Sequence, residues 1–308
     1  MQRTREGRGS NGGGMRAVSL GVATLRKLEP RHVAEASLVT ALWWYSATVL
    51  YPTRLLRWSG VADTADPLGD EPIDPPSPGL GPYFSRSGGE PVLLDEPSVH
   101  RHLVEEFSEL AELYEILVRP FSTPIFDEAL SVMHRFLGPD SRVLDIGCGP
   151  GRELRRVAEL VPQGEVVGVD LAAGMVEVAH DEARKRGLDN CAFFQADVTD
   201  LPRRFDGEFD LVYSSLAHHH YPDPYAAAAG VFRCLRPGGV YCIIDPGPAW
   251  FNVISAPLGR IADPGWIGWK TPSEFRALLD GAGFVRTCWI PLLPGFGIAL
   301  GQKHVDSA

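Results

Sequence analysis

VLDIGCGPG, residues 143–151, sets an apolar, β-rich run against a cluster of glycines, and that junction decides the fold. Residues 142–146 have the composition of a buried strand. Gly147, Gly149 and Gly151 then supply positions where the backbone can turn sharply and a ligand can come close. Residues 151–160 read as a helix, whose unpaired N–H groups face the same loop. Outward from this unit, strand-like runs at 165–169, 191–195, 209–214 and 240–244 alternate with helix-like stretches at 173–185 and 225–235. Such alternation predicts a parallel, doubly wound α/β sheet. A last helix at 272–282 and two terminal runs, 285–290 and 297–302, complete it.

Asp145 ends the first strand, and Asp170 follows Gly151 by 19 residues at the end of the second. That is the distance at which a carboxylate meets ribose hydroxyls, so loop and acid together point to an adenosine-type ligand. A dinucleotide-binding oxidoreductase is the competing reading. Two features separate the cases. The glycines run G-x-G-x-G rather than G-x-G-x-x-G, and a third acid, Asp197, ends the next strand in FQADV, residues 194–198. Its carboxylate is placed to accept from an adenine amino group while the N–H of Val198 donates to the ring. The competing role for Asp197 is a turn or a helix cap.

VLDIGCGPG, VVGVDLAAGMVEVA, FFQADVTDLP, FDLVYSSLAHHHYPDP, and CLRPGG followed by VYCIID resemble the successive motifs of class I S-adenosylmethionine-dependent methyltransferases. The similarity is greatest to the small-molecule branch that includes the ubiquinone and menaquinone biosynthesis enzymes. It covers about residues 140 to 285, and the later TPSEFRALLDGAGF is also similar to that branch. The resemblance implies a Rossmann-like, seven-stranded sheet and S-adenosyl-L-methionine as cofactor. It places the loop backbone of Gly147, Cys148 and Gly149, with Gly151 behind, at the methionine part, and Asp145 at its amino group. Asp170 would hold the ribose, Leu171 and Met175 line the adenine, and Asp197 and Val198 read the adenine edge. Ser214 and Ser215 would lie beneath the methionine and sulfonium. Cys148 is a small loop filler with no chemistry assigned.

A sulfonium is an activated methyl donor, so the protein chiefly aligns a nucleophile and excludes water. No metal is expected. Where the acceptor must lose a proton, a base helps. His218, His219 and His220 follow the fourth strand directly. The resembling branch carries an apolar residue and then two histidines here, so His219 and His220 fit as catalytic candidates, whereas His218 departs from the pattern. Backbone hydrogen bonding within the loop is the competing role. His218 and Tyr221 are candidate acceptor contacts, together with Trp250, Trp266 and Trp269 from an aromatic segment, residues 245–270, that reads as a lid or as an ordinary packed loop. The expected reaction is methyl transfer to a small, hydrophobic acceptor at carbon or oxygen. A catalytically silent, cofactor-binding partner or regulatory subunit is the alternative.

The charge supports a small-molecule acceptor. Residues 1–60 hold nine Lys and Arg against three Asp and Glu, which leaves 20 against 36 in the remainder, a net −16. An acidic body repels polyanions, so nucleic acid is not an expected partner. Five scattered cysteines without a C-x-x-C pair suit a reducing cytoplasm. Residues 1–14 read as a disordered lead-in without a secretory pattern. Residues 15–61 read as a helical N-terminal extension, and 62–98, with eight prolines between 62 and 97, as a linker. Residues 99–308 form the catalytic domain, entered through two helices broken near Pro120 and Pro124. Residues 36–53 carry no charge, which leaves two readings for the extension: packing on the core or a subunit, or peripheral association with a membrane. A monomer and a homodimer are both compatible.

Overall fold

A computed structural model describes residues 45, 49, 119–247 and 268–305. The expected lead-in, the linker, most of the N-terminal extension, and Trp250 and Trp266 lie outside the described residues.

Seven strands form one sheet: β1 Arg142–Ile146, β2 Glu165–Asp170, β3 Cys191–Gln195, β4 Phe209–Ser215, β5 Leu235–Pro246, β6 Val285–Leu293 and β7 Phe296–Gln302. Their spatial order is β3-β2-β1-β4-β5-β7-β6. Strands β1 to β5 pair in parallel, but β7 runs antiparallel to both β5 and β6. The doubly wound, seven-stranded sheet is the one expected, with its last two strands completing it in antiparallel fashion. Only Pro294 and Gly295 separate β6 from β7, and so short a connection leaves no room for a crossover helix. Gly295 turns there at φ 85°.

Residues along the central strands alternate between two apolar layers. Val143, Leu211, Tyr213, Cys242 and Ile244 face one layer, and Leu144, Ile146, Val212, Tyr241 and Ile243 face the other. The first layer is closed by helix α1, residues 119–133, through Phe121, Ile125, Phe126 and Met133, and by α2, Arg152–Ala158, through Leu154 and Val157. Helix α3, Ala173–Lys185, lies on β2 and β3. The second layer is closed by α4, Pro224–Cys234, and α5, Pro272–Gly281, through Val231, Phe275, Leu278 and Leu279. Both faces are therefore covered, as parallel strands require.

Among the described residues helix α1 runs unbroken from residue 119 through Pro124, contrary to the break expected at Pro124; the helix expected before Pro120 lies outside the described residues. A proline inside a helix removes one hydrogen bond and costs about 3 kcal/mol. Here the apolar face of α1 is buried against the sheet, which outweighs that loss, and the Thr123 hydroxyl donates back to the Arg119 carbonyl at 2.6 Å. Tyr45, from the uncharged N-terminal run, packs on the same layer and donates its hydroxyl to the Pro294 carbonyl. Burial pushes that phenol up to about 12. Among the described residues no helix is long and apolar enough to cross a membrane.

Candidate functional site

The sheet order reverses at β1: β2 lies to one side and β4 to the other. The connections leaving these strands diverge there and open a crevice beyond their C-terminal ends. Asp145 is the penultimate residue of β1, Asp170 ends β2, Ser214 and Ser215 end β4, and Asp245 lies near the end of β5.

The glycine loop is built from three left-handed residues, Gly147, Gly149 and Gly151, at φ 71°, 51° and 70°. Their reasons differ. A Cβ at Gly147 would lie 2.7 Å from the Ala217 Cβ, and one at Gly151 would lie 2.8 Å from the Phe193 ring and 2.9 Å from the Ala179 Cβ. A Cβ at Gly149 would meet nothing within 4 Å. Two of the glycines therefore permit close internal contact, and the third faces open space. The N–H groups of Gly147 and Cys148 both donate to the Val169 carbonyl, at 2.8 and 3.0 Å, which ties the loop to β2. Cys148 is buried, and burial raises its thiol pKa well above normal, so it is no thiolate.

Asp145 is 2% exposed. Its Oδ2 accepts from the Tyr213 hydroxyl at 2.8 Å, while its buried Oδ1 has no hydrogen-bond partner. Burial holds this carboxyl well above the usual range against the lowering effect of Tyr213. Asp170 accepts the Gly149 N–H on Oδ2 at 2.8 Å and the Ala172 N–H on Oδ1 at 2.9 Å. Burial raises its pKa and these bonds lower it. At β3, Asp197 Oδ1 accepts both the N–H and the hydroxyl of Thr199, so the turn weighed as its competing role is present. Leu171 is half-buried, and its carbonyl accepts from the Gln195 amide at 2.9 Å. Met175 is buried with Ala172, and Val198 lies in the second layer.

The residues that follow β4 build the far side of the crevice. Tyr221 is buried, and its hydroxyl donates to the Ile146 carbonyl at 2.7 Å. Its single proton being spent there, it accepts from the fully buried Ser214 hydroxyl at 2.8 Å. Tyr221 and Ser214 form a strut under the end of β1, and Ser215 is half-buried at the strand end. His218 is also buried, its ring against Tyr221 and Phe275 at 5.2 and 5.3 Å. Burial pushes its pKa well below the usual histidine range. It fills the slot where the resembling branch has an apolar residue.

His219 and His220 stay at the lip, with ring centroids 4.2 Å apart, and Trp269 meets His219 edge-on at 6.2 Å. His219 Nδ1 lies 2.8 Å from Oδ1 of the fully buried Asp245.

Sequence reasoning missed Asp245, Tyr213 and Arg155. Asp245 had a readable signal, an acid closing the run VYCIID at a strand end. Arg155 had none, since its charge on an amphipathic helix reads as solvent-facing; it is 2% exposed and donates to the Pro150 carbonyl at 2.7 Å, clamping the end of the loop. Arg152 reaches Thr123 at 2.7 Å and Ser122 at 3.3 Å, which joins α1 to the helix that follows the loop.

The family model described as a methyltransferase domain matches residues 137–260. Aklanonic acid methyltransferase from a Streptomyces strain is 34% identical over 156 residues, which cover 50% of this chain and 69% of the relative. The chain belongs to the class I S-adenosylmethionine-dependent methyltransferases. Trans-aconitate 2-methyltransferase of Deinococcus radiodurans is another similar member, 32% identical over 48% of this chain and 59% of its own length. The chain thus spans less than two thirds of that methyltransferase. The solved YcgJ protein of Bacillus subtilis shares the methyltransferase fold, with a TM-score of 0.51 at 22% identity over 58% of this chain and 99% of that one.

Proposed function

We propose that this chain transfers the methyl group of S-adenosylmethionine to a small, hydrophobic acceptor at carbon or oxygen. The observation that carries the reading is the buried Oδ1 of Asp145, without a partner, at the switch point. A buried carboxylate oxygen left without a donor is costly, and the cofactor's ammonium is a group that satisfies it. The open face of Gly149 leaves room for the methionine part beside it. Asp170, held by backbone N–H groups on both oxygens, is placed at the end of β2 to accept from the ribose hydroxyls. Leu171 and Met175 would flank the adenine, with Asp197 and the Val198 N–H at its edge. Ser215 would lie near the sulfonium, with Ser214 behind it. Trp269, beside His219, supports an apolar acceptor wall.

S-adenosylhomocysteine is expected to raise the unfolding midpoint of the full chain, and dinucleotides are not. No stabilisation by S-adenosylhomocysteine would sink the cofactor assignment. Incubating the protein with labelled cofactor and an extract of its host then names the acceptor. Label confined to water-soluble amines or acids would remove the hydrophobic acceptor, and no label in any acceptor would leave only the silent cofactor-binding alternative.

A further inference from the structure

Tyr213 places a phenol in the otherwise apolar face that β4 turns to the first layer. The register of the sheet sets it beside Asp145 on the neighbouring strand β1, and both side chains are buried. Phe126 of α1 holds the Tyr213 ring from the other side, with centroids 5.9 Å apart. Burial and the adjacent carboxyl push the phenol well above its usual range, so it keeps its proton and acts towards Asp145 only as a donor. That proton goes to Oδ2, which leaves Oδ1 as the buried oxygen without a partner. We propose that Tyr213 is a positioning residue for the cofactor: its hydroxyl fixes the rotation of the Asp145 carboxylate, favours the charged form and leaves Oδ1 to the α-ammonium of S-adenosylmethionine.

The inference rests on the pairing of Asp145 with the ammonium proposed above and names what prepares it. A hydroxyl that donates to a carboxyl stabilises the ionised form over the neutral one. The surroundings of Asp145 otherwise oppose its charge. Burial is the largest effect, and Glu153 on α2 and Asp170 on β2 add negative charge. The Cys148 thiol and the Tyr221 phenol, both also buried, bring no positive charge. Among the described residues Tyr213 is the one hydrogen-bond donor to this carboxyl. It therefore holds the site ready before the ammonium arrives, and the ion pair then completes the neutralisation. Cofactor binding should be tightest where Asp145 is charged and should weaken as pH falls through the pKa that Tyr213 helps to set.

The test measures binding of S-adenosylhomocysteine and of methylthioadenosine to the full chain by calorimetry across pH. Methylthioadenosine keeps the adenosine and the sulfur but has no ammonium or carboxylate, so the ratio of the two affinities removes any titration at the ribose end. In the unsubstituted chain that ratio should fall at low pH along an acid limb. Tyr213→Phe keeps the ring against Phe126 and removes only the hydroxyl. It should move the limb up by about one pH unit. S-adenosylhomocysteine should then bind about tenfold more weakly below the limb and within about threefold above it. A fluorinated tyrosine in place of Tyr213 is a stronger donor and should move the limb to lower pH, which decides the matter should Tyr213→Phe not fold. An unmoved limb in either variant, or an affinity loss in Tyr213→Phe equal at every pH, would make Tyr213 a packing residue and overturn the proposal. A ratio independent of pH in the unsubstituted chain, or a failure to bind S-adenosylhomocysteine at all, would instead overturn the cofactor reading beneath it, and the proposal with it.

Discussion

Gly147 and Gly149 carry the same residue type and similar left-handed angles, yet the structure assigns them opposite sensitivities. Gly147→Ala drives a Cβ into Ala217 at 2.7 Å, and with the added backbone strain it is expected to destabilise the chain by about 3 kcal/mol or more. Gly149→Ala meets no neighbour and carries only the left-handed cost of about 1–2 kcal/mol. Its added methyl projects into open space where the cofactor is proposed to lie, so S-adenosylhomocysteine affinity should fall more than stability does. Thermal unfolding and calorimetric titration of both variants check this, and equal losses of stability would contradict it. The glycine spacing was legible in the sequence. Which glycine faces open space was not, because that depends on Ala217, Phe193 and Ala179, all distant from the loop in the chain.

At the scale of elements, α5 begins with a capping box. The Thr271 side chain accepts from the Glu274 N–H, and Glu274 Oε2 accepts the Thr271 N–H at 2.6 Å. This cap adjoins Trp269 and Lys270, so it holds the lip beside His219 as well as the helix. Thr271→Ala should cost about 1 kcal/mol, seen as a lower unfolding midpoint, and a shift within error would show that the cap carries no net stability. Helix α1 illustrates a limit of local reading. Pro124 predicted a break, and the burial of Phe121, Ile125, Phe126 and Met133 overrode it. Strands β1 to β4 were read to within a residue, because β-rich runs bounded by glycine and acid are local signals, whereas β5 and β6 run several residues beyond the expected 240–244 and 285–290. The direction of β7 followed from a two-residue turn whose consequence is visible only once β5 has taken its place beside it.

Across the whole molecule, Asp145, Asp170 and Asp245 share one electrostatic condition: burial raises each carboxyl pKa in the folded chain. A group with a raised folded pKa binds more protons folded than unfolded in the window between its two pKa values. Its contribution to stability is therefore full below the unfolded carboxylate pKa and is lost as pH rises through the folded one. The ligand-free chain should lose stability from this source as pH rises from about 4 towards neutrality. S-adenosylhomocysteine, whose ammonium favours the ionised Asp145, should restore more at the upper end. Unfolding midpoints measured across that range, with and without S-adenosylhomocysteine, check both slopes, and a ligand effect independent of pH would contradict the pairing at Asp145. The sequence by itself determined the α/β class, the glycine loop, the acids at the strand ends and hence the adenosine-type ligand, because strand periodicity and turn chemistry act over a few residues. Only the tertiary structure decided that Tyr221 and His218 belong to the core, that Arg155 clamps the loop, and that Asp245 meets His219. Those contacts join residues from separate elements, and burial, which sets both hydrogen-bond partners and pKa, exists only once the elements have packed together.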